Sequence, residues 1–279
     1  MTGSAQPLVL VVENSPSDPV GRLAEWLRAA DLRLEIVSGA DLPADLAGFA
    51  GLVVLGGPMG ANDDVIAPWL PHERALLRAA VSSELPTLGV CLGAQLLAAA
   101  NGGRVQRNPA GPEVGAQLVA KRGAAANDPL FRPLPITPDV LQWHFDAITS
   151  LPPGAVQLAS SPGAEHQAFR LGRVAWGVQF HIETTPATVR AWARGDAAEL
   201  ADYDLDAIVE RAVRVHDDLA ETWAPFAAAF AGVVRDPASA NAPDAAPDDP
   251  IAAARAALAA EAGAARMPLP MPGLRHDDG

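Results

Sequence analysis

A single cysteine, Cys91, and a single tyrosine stand among 279 residues. One cysteine excludes an internal disulfide and fits a reducing compartment. No apolar run reaches the ~20 residues a bilayer-spanning helix needs, and Met1 to Pro7 shows no basic stretch leading into a long apolar one. A cytoplasmic location without a membrane partner is expected. Lysine and arginine number 20 against 33 acidic residues, a net charge of −13, and they form no cluster. That disfavours nucleic acid, whose phosphates call for grouped cations. No second cysteine and no HxH or CxxC pattern accompanies His144-Phe145-Asp146 or His181-Ile182-Glu183, so no metal is expected there. Gly56-Gly57 is followed by neither a Walker lysine nor GxGxxG, so no nucleotide and no other cofactor is expected.

What is present suits an enzyme on an α/β sheet. Hydrophobic residues make up 49% of the chain, much of it alanine, so Leu, Val, Ile and the six tryptophans carry the core. Leu8 to Glu13 reads as a buried strand, Pro19 to Ala30 as a helix with Leu23, Trp26 and Leu27 on one stripe, and Leu32 to Val37 as an alternating strand. Gly51 to Leu55, a helix around Trp69 to Ser82, and the strand Pro86 to Val90 follow. This alternation predicts a mainly parallel central sheet flanked by helices, with its site beyond the carboxyl ends of the strands. From Arg104 to Phe180 the pattern turns to short strands with Pro and Gly turns, a small antiparallel extension. Thr185-Pro186 reads as an N-cap and first helical residue. Apolar residues at helical spacing then predict one long packing helix over about 205–234, with His216 at the boundary of its stripe. One domain over 1–235 is expected. Residues 236–279 hold seven prolines, fifteen alanines and no aromatic, and read as a mobile tail in which Ile251 to Ala265 could form a transient helix.

Cys91 sits in Leu88-Gly89-Val90-Cys91-Leu92-Gly93-Ala94-Gln95, a glycine-bracketed turn between an apolar strand and a helix over Leu96 to Ala100. A sharp turn there lifts a side chain clear of the sheet, beside helix N–H groups that favour an anion. A lone cysteine before a helix also serves as a small buried hydrophobe, so the reading needs partners. The apolar run Val174 to Phe180 ends in His181-Ile182-Glu183, where period-2 alternation would point imidazole and carboxylate the same way. A carboxylate that holds one ring nitrogen leaves the other for a thiolate, the order of roles that nucleophilic catalysis requires. Gly56-Gly57-Pro58, after its own strand, can expose one backbone N–H to a ligand.

These three segments, Leu55-Gly56-Gly57-Pro58-Met59, Gly89 to Gln95 and Gly177 to Glu183, resemble the class I (triad) glutamine amidotransferases. The likeness is greatest to stand-alone members similar to the glutaminase domain of GMP synthase, and it runs from about Leu8 to about Arg194. The resemblance implies a flavodoxin-like fold, with Cys91 as nucleophile, His181 as general acid and base, and Glu183 as its orienting partner. It implies an oxyanion hole from the backbone N–H groups of Gly57 and Leu92. In Leu141-Gln142-Trp143-His144-Phe145-Asp146, Phe145 replaces the family's usual glycine. By resemblance Asp146 would face the substrate ammonium, Gln95 would line the pocket, and backbone groups around Trp143, His144 and Phe145 would contact the substrate carboxylate. Ile182 stands where many relatives carry proline, which leaves both flanking side chains intact. The substrate implied is glutamine or another γ-glutamyl compound, with ammonia passed to a separate synthetase. A stand-alone γ-glutamyl hydrolase or peptidase and a non-catalytic regulator on the same fold stay open.

Overall fold

The computed structural model describes residues 6–241. Strand β1 (Leu8–Glu13) leads through helix α1 (Gly21–Ala29) to β2 (Arg33–Ser38) and β3 (Gly51–Val54). Helix α2 (Leu70–Ser82), β4 (Thr87–Val90) and α3 (Leu92–Ala100) complete the first half. The second half holds β5 (Arg104–Arg107), β6 (Glu113–Leu118), β7 (Ala120–Lys121), β8 (Asp139–His144) and β9 (Asp146–Ser150). It continues with β10 (Val156–Ser160), β11 (Ala168–Leu171) and β12 (Ala175–Val178), and closes with α4 (Pro186–Gly195), α5 (Leu205–Arg214) and α6 (His216–Arg235).

The main sheet runs β2-β1-β3-β4-β12-β11-β10-β7. Neighbours from β2 to β12 are parallel, and those from β12 to β7 antiparallel. This is the mainly parallel sheet with an antiparallel extension that the sequence predicts. Two further ribbons, β5 with β9 and β6 with β8, stand beside it. Burial on both faces explains why the central strands read as unbroken apolar runs: along β1, Val9 and Val11 join one core while Leu10 and Val12 join the other. The first core takes α1 and α6, with Trp176, Trp223, Phe226 and Phe230 at its centre; the second takes α2 and α3. Within the first, Phe131 packs against Trp223 and Phe226 at near-perpendicular ring angles.

The long helix predicted over about 205–234 is instead two helices that part at Val215. An unbroken helix of that span would be about 45 Å long and could not serve both contacts the chain makes here. α5 packs on α4 and β6, whereas α6 crosses to α1. His216, expected at the boundary of the stripe, is buried at the break, where its Nε2 lies 2.7 Å from the Thr184 carbonyl oxygen. Thr185 and Pro186 start α4 as predicted, and Thr188 closes a capping box with Thr185. Ordered structure passes residue 235 into a short 3-10 turn, Pro237–Asn241, held by Arg173 at the Pro237 carbonyl. The rest of the tail assigned to 236–279, including its transient helix, lies outside the described residues. No helix among the described residues is long and apolar enough to cross a membrane.

Candidate active site

Parallel strands β3, β4 and β12 lie side by side, so their carboxyl ends bring the three distant segments together. Cys91 follows β4 directly and caps α3 with φ +52°, a left-handed conformation that costs a cysteine free energy and marks a sharp strand-to-helix turn. The turn is tight because Gly93 lies against β3: a Cβ there would sit 2.0 Å from the Val54 carbonyl oxygen. Cys91 donates its backbone N–H to the Val178 carbonyl at 2.8 Å, tying the elbow to the end of β12.

His181 and Glu183 lie beyond that strand end. The ladder of β12 stops at Val178, so strand alternation does not align the pair as the sequence predicts. The backbone bends, and His181 N–H bonds to the Leu141 carbonyl of β8 at 2.8 Å. The pairing is therefore made by side chains. His181 Nδ1 is 2.6 Å from Glu183 Oε1, and Glu183 Oε2 accepts from the Ile182 N–H at 2.9 Å. Both residues are buried, and the imidazole lies against Trp192 with ring centroids 4.6 Å apart. The Glu183 carbonyl is fixed in turn by the start of α1: it accepts from Arg22 N–H at 2.8 Å and lies 2.2 Å from where a Gly21 Cβ would be. Only glycine fits at that contact, and Gly21 also has φ +47°.

Burial opposes the charge on His181. The Glu183 carboxylate and then Cys91 outweigh it, so the imidazole holds its proton well above the usual histidine range. The geometry thus sets a sulfur against a cationic ring oriented by a carboxylate. Next to Cys91 in the chain, Leu92 is the first residue of α3, whose N–H has no intrahelical acceptor, and Gly57 lies beside it, with Leu92 Cδ2 3.1 Å from the Gly57 Cβ position. Among the described residues neither N–H has a hydrogen-bond acceptor. A developing oxyanion could take both.

A cavity of about 490 Å³ opens over Cys91, within the range of small-molecule sites. Gln95 lines it but is buried, its amide donating to the Gln179 side chain and the Asp146 carbonyl, both at 3.2 Å. It acts as a wall brace. Trp143 presents its carbonyl 4.0 Å from the Cys91 sulfur, while its indole N–H donates to Asp196 at 2.8 Å. His144 is buried and turned toward the protein: Nδ1 lies 2.8 Å from the Asp146 carbonyl oxygen and Nε2 3.1 Å from Glu113 Oε2. Both ring nitrogens thus face protein oxygens, although the residue lines the cavity. Phe145 receives the Arg107 guanidinium 4.8 Å above its ring, and Arg107 also contacts Glu199 and lies 4.0 Å from Asp146. Asp146 lies at the cavity with its carboxyl raised by burial, although Arg107 works against that shift.

Three residues here carry no signal in the sequence. Asp18 lines the cavity beside Gly56 and His181, and Arg107 reaches it from the antiparallel ribbon. Neither belongs to a motif. The third, Glu73, is buried in α2 and underpins the turn at Gly57 through Asn14. Asn14 donates to Glu73 Oε1 at 3.1 Å and to the Leu55 carbonyl at 3.3 Å, and accepts from the Trp69 indole at 2.9 Å. Glu73 Oε2 has no partner, and burial pushes the carboxyl from its ordinary 4.5 to about 7. The native state therefore binds this proton more tightly than the unfolded chain does. Its stabilising effect is full below pH 4.5 and fades as pH rises to about 7, by roughly 3 kcal/mol. Glu73→Gln should remove this slope. Urea titrations between pH 4.5 and 8 check it: the wild type should lose stability relative to the variant across that window, and parallel curves would show that Glu73 stays ionised.

The sheet thus gathers at its strand ends a thiol on a sharp turn, a buried imidazole–carboxylate pair and two N–H groups. The chain belongs to the class-I glutamine amidotransferase family, whose model matches residues 20–191. It is 31% identical over 175 residues to the GMP synthase [glutamine-hydrolyzing] of Porphyromonas gingivalis, covering 62% of this chain and 33% of that one. The chain thus spans about a third of the length of the full GMP synthases it matches. Against a GMP synthase [glutamine-hydrolyzing] subunit of Methanoculleus marisnigri it is 32% identical over 181 residues, covering 64% of this chain and 90% of that relative. Among solved structures, a glutamine amidotransferase from Thermotoga maritima superposes with TM-score 0.73 at 29% identity, over 82% of this chain and 99% of that one. A glutamine amido transferase from Methylobacillus flagellatus gives 0.71 at 31%, over 82% and 94%.

Proposed function

We propose that the chain hydrolyses the side-chain amide of glutamine through a thioester on Cys91 and delivers the ammonia to a separate acceptor enzyme. The observation that carries this reading is the buried His181–Glu183 pair, 2.6 Å between Nδ1 and Oε1, facing a cysteine held at positive φ on a helix N-terminus. Cys91 Sγ attacks the amide carbon while the Gly57 and Leu92 N–H groups hold the oxyanion. His181, already protonated, gives its proton to the departing nitrogen as the C–N bond breaks. The same ring, now neutral, takes a proton from the water that cleaves the thioester and releases glutamate. Glu183 keeps the ring oriented throughout. Asp146 meets the substrate's α-ammonium, and the backbone near Trp143 its α-carboxylate.

The acceptor reading follows the Methanoculleus relative, which is named as one part of a GMP synthase and is of similar length to the matched region. The purified full chain incubated with L-glutamine should release glutamate and ammonia in equal amounts, and addition of its synthetase partner should raise that turnover. Absence of both products, with and without a cell extract supplying the partner, would overturn the reading.

A further inference from the structure

The sulfur of Cys91 has a neighbour that the mechanism above leaves unused. Gln179, one residue past the end of β12, is buried, and its Nε2 lies 3.8 Å from Cys91 Sγ, within the longer reach of a hydrogen bond to sulfur. Its backbone is pinned on both sides: the preceding carbonyl, of Val178, accepts the Cys91 N–H, and Gln179 donates its own N–H to the Gln167 carbonyl at 2.8 Å.

The direction of the amide is fixed by a chain of bonds that starts at a backbone carbonyl. The Asp146 carbonyl can only accept, so the side-chain atom of Gln95 that lies 3.2 Å from it must be the nitrogen. That same nitrogen lies 3.2 Å from the Gln179 side chain, which must therefore present its oxygen to Gln95 and its NH2 to the sulfur. The other groups around Cys91 divide by the form they favour. The Trp143 carbonyl, 4.0 Å from Sγ, can only accept and suits the thiol. Against burial, Glu183 and then Cys91 hold the proton on His181, so the ring faces the sulfur as a cation. Gln179 adds a neutral donor, and such a donor binds a thiolate more strongly than a thiol because its acceptor is then charged.

We infer that Gln179 is a further catalytic residue, a donor that holds the Cys91 sulfur as the thiolate, and that Gln95 acts through it as a positioning residue. The inference rests on the thioester chemistry proposed above. As Sγ bonds to the amide carbon, negative charge passes from sulfur to the carbonyl oxygen, so the Gln179 bond weakens while those from Gly57 and Leu92 strengthen. When water cleaves the thioester, the electron pair of the C–S bond returns to sulfur and Gln179 receives it again.

Alkylation of the full chain by iodoacetamide reads the thiolate directly, because Cys91 is the only cysteine. Gln179→Met keeps the approximate shape and removes the donor. Below the midpoint of its pH profile this variant should be alkylated about tenfold more slowly than the wild type, with that midpoint about one pH unit higher, and the acid limb of kcat/KM for L-glutamine should move with it. Gln179→Glu, which still accepts from Gln95 but sets a carboxylate against the sulfur, should move both further. Gln95→Met should move them in the same direction and by less, since the released amide can turn its oxygen to the sulfur. A Gln179 that served only packing would lower the unfolding temperature or the plateau rate and leave the midpoint in place. Wild-type midpoints in the Gln179 variants, or in Gln95→Met where neither of those folds, would overturn the inference. If glutamine is cleaved and the midpoints stay, this inference fails alone; if they move and glutamine is not cleaved, the glutaminase reading fails alone. A folded wild type whose Cys91 resists alkylation at every pH up to about 10 overturns both.

Discussion

Cys91→Ala should lower glutamine hydrolysis by at least about 10⁴-fold, because the proposed thioester forms on its sulfur. The fold should persist. Removing one sulfur from a side chain bordering an existing cavity costs about 1 kcal/mol, small beside the stability of a domain with two cores. Cys91→Gly sharpens the test. The wild-type residue sits at φ +52°, where glycine carries no steric penalty, so the glycine variant should be as inactive as the alanine variant and unfold at an equal or higher temperature. Ammonia release and thermal unfolding, read together, separate loss of chemistry from loss of fold. Substantial turnover in either variant would refute Cys91 as the nucleophile.

Glu183→Gln should cost about 10²- to 10⁴-fold in kcat while changing KM little, since the residue orients a ring and does not touch substrate. The amide keeps the shape but removes the charge that most favours the imidazolium against burial. His181 should then give up its proton at a lower pH. In the wild type the raised proton affinity contributes stability in full below the ordinary histidine value of 6.5, and that contribution is lost as pH rises through the raised value. The variant should lack that dependence, and its rate should fall at a lower pH than the wild type's. A pH–rate profile and denaturation at several pH values check both statements. An unchanged profile would show that Glu183 braces Ile182 without governing the ring.

The parallel half of the fold is legible in the chain because strands buried on both faces leave continuous apolar runs, and because glycines punctuate the ends of β3 and β4. The breaks in helicity are not. Apolar spacing continues across Val215, and only the different packing partners of α5 and α6 force the chain to turn there. His181 and Glu183 are legible as a pair for an imperfect reason: the strand ends before them, and Glu183 reaches the ring through a backbone bend that no periodicity records. His144 illustrates the opposite case. Its neighbours in sequence suggest substrate binding, but Glu113, which faces it across the β6–β8 ribbon, takes the ring inward.

The order of residues was enough to locate the cysteine at a sharp strand-to-helix turn, because a strand, a turn and a helix N-terminus are local matters of glycine placement and hydrophobic period. It was enough for the central sheet on the same grounds. Which carboxylates share the cavity came only from folding in three dimensions, since Asp18 follows β1, Asp146 starts β9 and Glu199 follows α4. Charge in a folded site depends on burial and on hydrogen-bond partners across space, and neither quantity is written along the chain.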